Sequence, residues 1–403
     1  MRGWPAIGLL LCIGCATKEV SGDTGAYLQR GSHREVTVAW RSQTPAVGVV
    51  EWGTDPSALD RVVREEEPVR HHELVLEDLS PRTRIHYRYG AGDEMVAGDW
   101  LYYDVPAPPA EAKPIVFWVL GDSGTGDANQ AAVAAAMDRQ RASESPDFLL
   151  HVGDIAYESG SRKELIERHF EVYDELLGST VVWPALGNHE ARSLDAGEGP
   201  WFDFFVLPTE GEAGGEPSGS EVFYSFDHGP GHFVVLDSAT ASLQPDDPML
   251  RWLERDLART DARWTVVAIH HAPHSDGTHR SDEDERMTRV REHVVPILER
   301  HGVDLVFSGH SHGYERSALV AGERLLDESS PYDKHDGAEG GTVYVVAGHG
   351  GRRTGGRLEH PLMVAGSTAY GFVVVEMDEA EVRVRNVPAD DSPGDSFVLR
   401  KAP

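Results

Sequence analysis

The sequence has only two cysteines, Cys12 and Cys15, and both lie near its start. A chain that loses this segment on export keeps at most one cysteine and forms no internal disulfide. The apolar run that ends at Ile13 is too short to span a bilayer, which takes roughly 18 residues or more. Basic residues are scarce, since 37 lysines and arginines stand against 67 aspartates and glutamates, for a formal net charge of -30. This charge argues against nucleic acid or an anionic membrane surface as a partner, although an acidic surface also serves solubility alone.

The first residues are typical of a secretory signal. A short start containing Arg2 precedes the apolar run, as in the n-region and h-region of such signals. Cys15, preceded by Ile13 and Gly14, resembles a bacterial lipobox, with Cys12 standing where that pattern prefers leucine. The alternative is plain secretion with cleavage after Ala16. Residues 1–25 are therefore expected to be a signal and tether, and the protein to be exported, periplasmic, cell-surface or secreted, with membrane contact only through a lipid at Cys15.

The length of 403 residues favours two or three domains. Residues 26–107 contain short segments with the alternation of strands, separated by turn residues and without a helical pattern between them. The clearest segments are Val36 to Trp40, Val49 to Trp52, Glu73 to Leu79 and Ile85 to Tyr89. This pattern predicts a small all-β sandwich. It resembles a fibronectin type III domain, although Ile85 stands where such domains usually carry the corner tyrosine.

Residues 113–403 change to buried strands that alternate with helices. The strand Ile115 to Leu120 and the helix Ala128 to Arg141 begin this pattern, and a helix is also expected over Glu164 to Leu177. The mixture predicts two sheets packed face to face with helices outside, a four-layer α/β/β/α sandwich. Tyr370 to Glu376 and Glu381 to Val387 are expected to form a terminal hairpin on one sheet edge. Glu210 to Ser220 and Glu328 to Gly341 are expected to be surface loops at the rim of the site.

Five segments place polar residues directly after apolar, strand-like runs, where ligands collect in open α/β sheets. They are Gly121-Asp122-Ser123-Gly124, Gly153-Asp154-Ile155-Ala156-Tyr157, Gly187-Asn188-His189-Glu190, Val267-Ala268-Ile269-His270 and Gly309-His310-Ser311-His312. Each segment alone is weak, because Gly-Asp after a strand is usually a turn and a lone histidine is usually a hydrogen-bonded polar group. His310 and His312 are more specific, since alternate residues of an extended segment point the same way. The ordered set predicts a site for two metal ions.

The ordered set resembles the metallophosphoesterase superfamily and, within it, the purple acid phosphatases, whose catalytic domain follows a fibronectin type III-like domain. Most relatives carry Asp-x-His in the first loop, whereas here Gly124 stands in place of the histidine and Tyr157 can replace it. The resemblance implies two ligand sets that share the carboxylate of Asp154. The first ion would be held by Asp122, Asp154, Tyr157 and His312, and the second by Asp154, Asn188, His270 and His310.

The charges of the two ligand sets favour different ions. Two carboxylates and a phenolate give the first site three formal negative charges, which favours a trivalent hard ion such as Fe(III). One shared carboxylate, an amide and two imidazoles suit Zn, Mn or Fe(II) at the second site. An Fe(III) tyrosinate would colour the protein purple. Two Mn, or Fe with Ca, in the same scaffold remain the alternative.

The resemblance also implies roles for two histidines that are not ligands. Two ions about 3.5 to 4 Å apart activate water for in-line attack on a phosphoryl group, so no serine or cysteine nucleophile is needed. His279 matches an outer-sphere histidine that can protonate the leaving alkoxide, and His189 matches one that bonds a substrate oxygen. The alternative for His279 is a solvated loop residue. His271, His274 and His349 receive no role.

The sequence therefore predicts an exported, metal-dependent phosphatase that attacks small phosphomonoesters with metal-bound hydroxide, best in mild acid. A phosphodiesterase on the same scaffold is the nearest alternative, because specificity resides in rim loops. A surface-anchored adhesion protein that only retains the fold is an alternative of another class. If Glu328, Asp333, Asp336 and Glu339 lie at the mouth, bulky polyanions should be poor substrates.

Overall fold

A computed structural model describes residues 24–91, 94–195 and 197–401. The predicted signal, Cys12 and Cys15 lie outside these residues. The helices of the described chain are α1 (Ala128–Arg141), α2 (Arg162–Leu165), α3 (Asp174–Leu177), α4 (Asn188–Ala191), α5 (Pro200–Phe204), α6 (Pro248–Leu257), α7 (Glu285–Arg289) and α8 (Val295–Arg300). Two 3-10 turns, Pro109–Glu111 and Ala338–Gly340, and two π-helical segments, Ile166–Phe170 and Val290–Val294, complete them. No helix in this part of the chain is long and apolar enough to cross a bilayer.

The strands form two large sheets, one small sheet and a separate hairpin. In chain order they are β1 (Tyr27–Gln29), β2 (Val36–Ala46), β3 (Gly48–Gly53), β4 (Arg61–Arg64), β5 (Val69–Leu76), β6 (Arg84–Ala91), β7 (Glu94–Val96), β8 (Tyr102–Asp104), β9 (Ile115–Leu120), β10 (Phe148–His151), β11 (Val181–Pro184), β12 (Tyr224–His228), β13 (Gly231–Leu236), β14 (Trp264–His271), β15 (Leu305–Gly309), β16 (Tyr314–Ser317), β17 (Leu319–Ala321), β18 (Arg324–Asp327), β19 (Tyr332–Lys334), β20 (Val343–Ala347), β21 (Met363–Ser367), β22 (Gly371–Met377), β23 (Glu381–Pro388) and β24 (Ser396–Lys401). The ten-stranded sheet has the order β19-β24-β23-β22-β9-β10-β11-β1-β2-β5, and the seven-stranded sheet β12-β13-β14-β15-β20-β16-β21.

The two large sheets pack face to face, with helices on the outside. The ring of Phe117 in β9 lies 5.3 Å from that of Phe233 in β13, edge to face. Because successive strand residues point to opposite faces, Val266 of β14 packs into the core between the sheets while Val267 packs among residues of α6 and α8. On the other outer face, α1 buries Met137 against the ten-stranded sheet. This architecture confirms the predicted four-layer α/β/β/α sandwich.

The N-terminal region is all-β, as predicted, but one of its sheets is not separate from the large one. Strands β1, β2 and β5 continue the ten-stranded sheet, and β1 runs parallel to β11 with Leu28 opposite Val181. A second sheet, β4-β3-β6-β7 with β8 beside β6, forms the other half of the sandwich. Trp40 and Tyr89 pack across the two halves, with ring centroids 5.2 Å apart.

Two local predictions differ from the structure. The helix expected over Glu164 to Leu177 is divided into α2, the π-helical segment and α3, and Tyr173 leaves the helical conformation. Periodicity alone does not reveal such an inserted residue, which is common at functional sites. The terminal hairpin forms from β22 and β23, but it is not at the sheet edge, because β24 and β19 pair beyond it.

Candidate metal centre

The five predicted segments come together at one edge of the paired sheets. Strands β9, β10 and β11 are parallel neighbours in one sheet, and β14 and β15 are parallel neighbours in the other. The amide of His310, after β15, donates to Asp122 Oδ2, after β9, at 3.0 Å, so the carboxyl ends of the two sets of strands meet, as expected for ligand sites in such sheets. These ends carry every residue that the sequence assigned to a metal: Asp122, Asp154, Tyr157, Asn188, His270, His310 and His312.

One group of donor atoms surrounds the Tyr157 hydroxyl. Its oxygen donates a hydrogen bond of 2.9 Å to Asp122 Oδ1 and lies 3.3 Å from His312 Nε2. The His312 Nε2 atom is in turn 3.5 Å from Asp122 Oδ1. The structure thus brings the carboxylate, phenol and imidazole predicted for the first ion within one small volume.

A second group surrounds the Asn188 carboxamide. Its Oδ1 atom lies 3.0 Å from His270 Nε2 and 2.9 Å from His310 Nδ1. The other ring nitrogen of His270, Nδ1, donates a hydrogen bond of 2.8 Å to the carbonyl oxygen of Val152. Its Nε2 atom therefore faces the centre. Asp154 Oδ1 lies 3.4 Å from the same Nε2, so this carboxylate borders the second group as well as Tyr157.

Backbone conformation marks three of these positions. Asp122, Asp154 and His310 have φ values of 54°, 53° and 65°, in the left-handed region that non-glycine residues rarely adopt. Such strain concentrates at active sites, where the surrounding structure enforces it. Hydrogen bonds from two backbone amides hold these conformations here. The amide of Asp122 donates to Gly153 O at 3.0 Å, and the amide of His310 donates to Asp122 Oδ2 at 3.0 Å.

The electrostatics of the centre fit cations. Asp122 and Asp154 are almost completely buried, and burial raises the pKa of Asp122 well above its usual value. Burial lowers the pKa of His310 to about 4 and that of His312 to about 3, so both imidazoles are neutral and can donate a lone pair at neutral pH. Within the described chain, the two carboxyls form ion-pair contacts only with histidines. A carboxyl in these surroundings is neutralised either by a proton or by a bound cation, and the lone pairs of the neighbouring imidazoles favour the cation.

The Tyr157 phenol leads to the same conclusion. Burial, followed by the charges of Asp122 and Asp154, raises its pKa well above the ordinary value of 10. It is therefore a phenol unless a cation lies against its oxygen. The donor set as a whole, carboxylate, phenol, amide and imidazole, fits two hard or borderline metal ions.

The two histidines assigned to substrate lie at the open side of this centre. The backbone amide of His189 donates to Asp154 Oδ1 at 3.0 Å, and its ring centroid is 4.3 Å from that of Tyr157. The ring of His279 stacks on that of His310 at 4.1 Å. Both side chains are partly exposed, so they can meet a molecule from solvent.

Two carboxyl groups contribute to the centre without having been assigned a role from the sequence. Asp284 Oδ2 lies 3.3 Å from His310 Nε2, the nitrogen that faces away from Asn188. Buried Glu190 accepts hydrogen bonds from the amides of Ala156 and Gly187 at 2.9 and 3.1 Å and so joins two of the loops. Glu190 was visible inside a predicted motif, whereas nothing local distinguished Asp284 from the acidic residues around it.

The three unassigned histidines have structural roles outside the donor groups. His271 Nδ1 is 2.8 Å from the Ser238 hydroxyl, and His349 Nε2 is 2.9 Å from Asn386 Oδ1. His274 is buried with its ring edge-on to that of Tyr344.

The prediction that two acidic loops form the rim of the site is wrong. The segment 328–341 lies at the opposite end of the sheets, where Lys334 Nζ contacts Asp304 at 2.8 Å just before β15 begins. The segment 210–220 is at that end too, since the amide of Glu216 donates to Asp256, which contacts His232 at the start of β13. The four acidic residues predicted at the mouth, Glu328, Asp333, Asp336 and Glu339, all fall in the first of these segments. Polar loop composition shows exposure but not which sheet end a loop covers.

Comparisons with known proteins agree with this geometry. Residues 115–314 match the family described as calcineurin-like phosphoesterase, and residues 25–103 match the purple acid phosphatase N-terminal domain. The chain is 26% identical over 373 residues to purple acid phosphatase 1 of Ipomoea batatas, covering 84% of this chain and 72% of the relative. It is 27% identical over 306 residues to Fe(3+)-Zn(2+) purple acid phosphatase 12 of Arabidopsis thaliana, covering 70% and 60% respectively. The structure of purple acid phosphatase PPD1 from yellow lupin (Lupinus luteus) seeds superposes with a TM-score of 0.77 at 19% identity, covering 94% of this chain and 75% of that one.

Proposed function

Because the chain belongs to the purple acid phosphatases, within the calcineurin-like phosphoesterases, we propose that it hydrolyses phosphomonoesters with one Fe(III) and one divalent ion, Zn, Mn or Fe(II). The observation that carries the proposal is the Tyr157 hydroxyl between Asp122 and His312, at 2.9 and 3.3 Å. A relative named as an Fe(3+)-Zn(2+) enzyme supports this pair of ions.

We assign the ligands from the two donor groups. The Fe(III) site would use the first group with Asp154: Asp122, Asp154, Tyr157 and His312. The divalent site would use the second group with the same carboxylate: Asp154, Asn188, His270 and His310. A phenolate and two carboxylates favour the trivalent ion at the first site.

The ions, when bound, act as Lewis acids toward a phosphoryl oxygen and make water a usable nucleophile near neutral pH. The chain itself positions the substrate and handles the leaving-group proton. The imidazole of His189, beside Asp154, has its Nδ1–H donating to Glu158 O at 2.6 Å, so in its protonated form it donates from Nε2 to a phosphoryl oxygen. His279, whose ring stacks on that of His310 and lies 5.6 Å from that of His312, gives its proton to the leaving alkoxide. Burial lowers the pKa of His279, so this imidazole is protonated mainly in acid. This fits the mildly acidic pH optimum for activity that the sequence predicts.

Visible spectroscopy with metal analysis tests the proposal directly. The purified protein should contain iron and show a tyrosinate charge-transfer band that Tyr157→Phe removes. Tyr103→Phe is the matched control, because Tyr103 is also buried but its hydroxyl donates to Ser32 O at 2.9 Å in the N-terminal region, and it should keep the band. Hydrolysis of 4-nitrophenyl phosphate should stop on metal removal and exceed that of bis(4-nitrophenyl) phosphate. A colourless, iron-free and fully active protein would overturn the assignment of the ions.

We also propose that the protein is exported and anchored through a lipid on Cys15, on the strength of the N-terminal pattern. The test is detergent-phase partition after expression in a bacterium. Cys15→Ser should move the protein to the aqueous phase, whereas Cys12→Ser should leave it with the detergent. Aqueous partition of the wild type would instead indicate secretion without an anchor.

A further inference from the structure

Arginines gather on one side of the metal centre of this acidic chain. The guanidinium groups of Arg168, Arg192 and Arg352 all reach the Tyr157-Glu158 segment. Arg168 donates to the carbonyl oxygen of Tyr157, and Arg192 Nη1 donates to that of Glu158 at 2.9 Å. These two arginines thereby support the loop that carries Tyr157.

Arg352 differs because it contacts the Tyr157-Glu158 segment through a side chain, that of Glu158, and not through a backbone carbonyl oxygen. Its Nη1 atom donates to Glu158 Oε1 at 2.7 Å, and the side chains of Glu158 and Arg352 are 61% and 35% exposed. An ion pair this exposed contributes little to stability and exchanges readily with other ions. Arg352 therefore has a partner that a stronger or better-placed anion can replace.

The position of Arg352 relative to the centre is well defined. Its backbone amide donates to Asp122 O at 2.9 Å, and the amide of Gly355 in the same loop donates to His312 O at 3.0 Å. Its guanidinium carbon lies over the Tyr157 ring, 4.6 Å from the centroid. The loop is thus joined to two segments of the centre, and its cation lies beside the residue proposed to bind the first ion.

We propose that Arg352 is a specificity-determining residue that binds a second anionic group of the phosphomonoester, a carboxylate or a further phosphate, in place of Glu158. This inference rests on the proposed phosphatase function. A guanidinium presents a planar fork of donors that matches both anions. Substrates of this class carry the second anion on the leaving group. The leaving-group residue His279 has its ring 5.6 Å from that of His312, whose Nε2 lies 3.3 Å from the Tyr157 hydroxyl, so an anion there is on the Arg352 side of the centre.

Matched aryl phosphates test the inference on the metal-loaded, full-length protein. Phenyl phosphate is compared with the three carboxyphenyl phosphates and with benzene bisphosphates, and the readout is the ratio of kcat/KM for each anionic substrate to that for phenyl phosphate. Arg352→Gln should lower this ratio about tenfold for the anionic substrate that the wild type prefers. A loss of this size is expected when one charge-assisted hydrogen bond is removed. Glu158→Gln should raise it, because the internal competitor is gone. The carboxylate and bisphosphate arms distinguish the two kinds of anion.

The two substitutions separate substrate binding from a structural role, since both break the same ion pair but should shift the ratio in opposite directions. Arg383→Gln, at an exposed arginine of β23 paired with Glu381, is the control and should leave the ratio as in the wild type. Equal ratios in all proteins, or shifts of the same sign in both variants, would overturn the inference while leaving the phosphatase intact. Absence of phenyl phosphate hydrolysis by the metal-loaded wild type would overturn the proposed function instead. Melting temperatures verify that each variant is folded.

Discussion

Buried carboxyl groups occur at both ends of the paired sheets, but their charge is compensated in different ways. At the end opposite the metal centre, Asp304 Oδ1 lies 2.8 Å from the ammonium nitrogens of both Lys334 and Lys401. At the same end, His232 lies between Asp227 and Asp256, at 2.7 and 2.9 Å. The chain supplies its own cations there.

At the metal centre the chain instead supplies neutral donors. Asp122 and Asp154 are buried as deeply as Asp304, yet imidazoles, a phenol and an amide surround them. Because no lysine or arginine of the described chain pairs with these two carboxyls, this end can accept external cations that the opposite end cannot. The comparison shows that partner type, more than burial, distinguishes a structural carboxylate from a metal ligand.

The largest effect is expected from Asp154→Asn. Loss of the shared carboxylate should remove at least one ion and lower kcat/KM by about 10³-fold or more. The metal-free variant should also be less stable than the metal-free wild type, because burial raises the pKa of Asp154 but its contacts with His270 and His189 lower it overall, so the charge contributes to stability. Metal analysis, kinetics and urea unfolding measure these outcomes, and two ions per chain in the variant would contradict the assignment.

Asp304→Asn should have the opposite pattern. It leaves the buried ammonium group of Lys334 without its counter-ion and Lys401 with only the exposed Asp336, 3.6 Å away, which should destabilise the protein by about 3 to 5 kcal/mol. Metal content and kcat/KM of the folded fraction should stay as in the wild type. Metal loss without a drop in melting temperature would show that the two ends are not independent.

The pH dependence of stability should come in part from the end opposite the metals. Burial opposes protonation of His232, but hydrogen bonds to Asp227 and Asp256 raise its pKa to about 9, from 6.5. A raised folded-state pKa gives stability that is complete below pH 6.5 and is lost as the pH rises through about 9. This contribution is about 3 kcal/mol. The difference in unfolding free energy between the wild type and His232→Gln, measured from pH 6 to 10, should shrink over that window, and a constant difference would refute the ion network.

The smallest effect is expected from Asp284→Asn, which weakens the orientation of His310 without removing a ligand. Partners of ligating histidines typically contribute 10- to 100-fold in metal affinity. Competition with a chelator should show a loss of this size for the divalent ion. Asp282→Asn, two residues earlier and paired with Arg291, is the control that should bind normally.

Elements with strong local patterns were predicted closely. The helix Ala128–Arg141 and the strand Ile115–Leu120 have their expected bounds, because an alanine-rich stretch and a continuous apolar run each favour one structure. The residues that the structure brings together around Tyr157 and Asn188 had also been selected from the sequence, because each lies at the end of an apolar strand or in the loop after it. Asp284 and Arg352 were not, because both lie in loops with many charged residues and reach the centre only through folding.

The sequence by itself determined which donor types follow the strands, and with them the chemistry that the carboxyl ends can perform, because strand periodicity and turn residues act locally. Only the tertiary structure decided that the segments 210–220 and 328–341 cover the opposite sheet end and that β1 pairs with β11. It also decided that Arg352 lies over Tyr157. The last two outcomes depend on packing between residues about 150 or more positions apart, and the placement of the two segments on contacts between separate elements, for which no local pattern of the chain carries a signal.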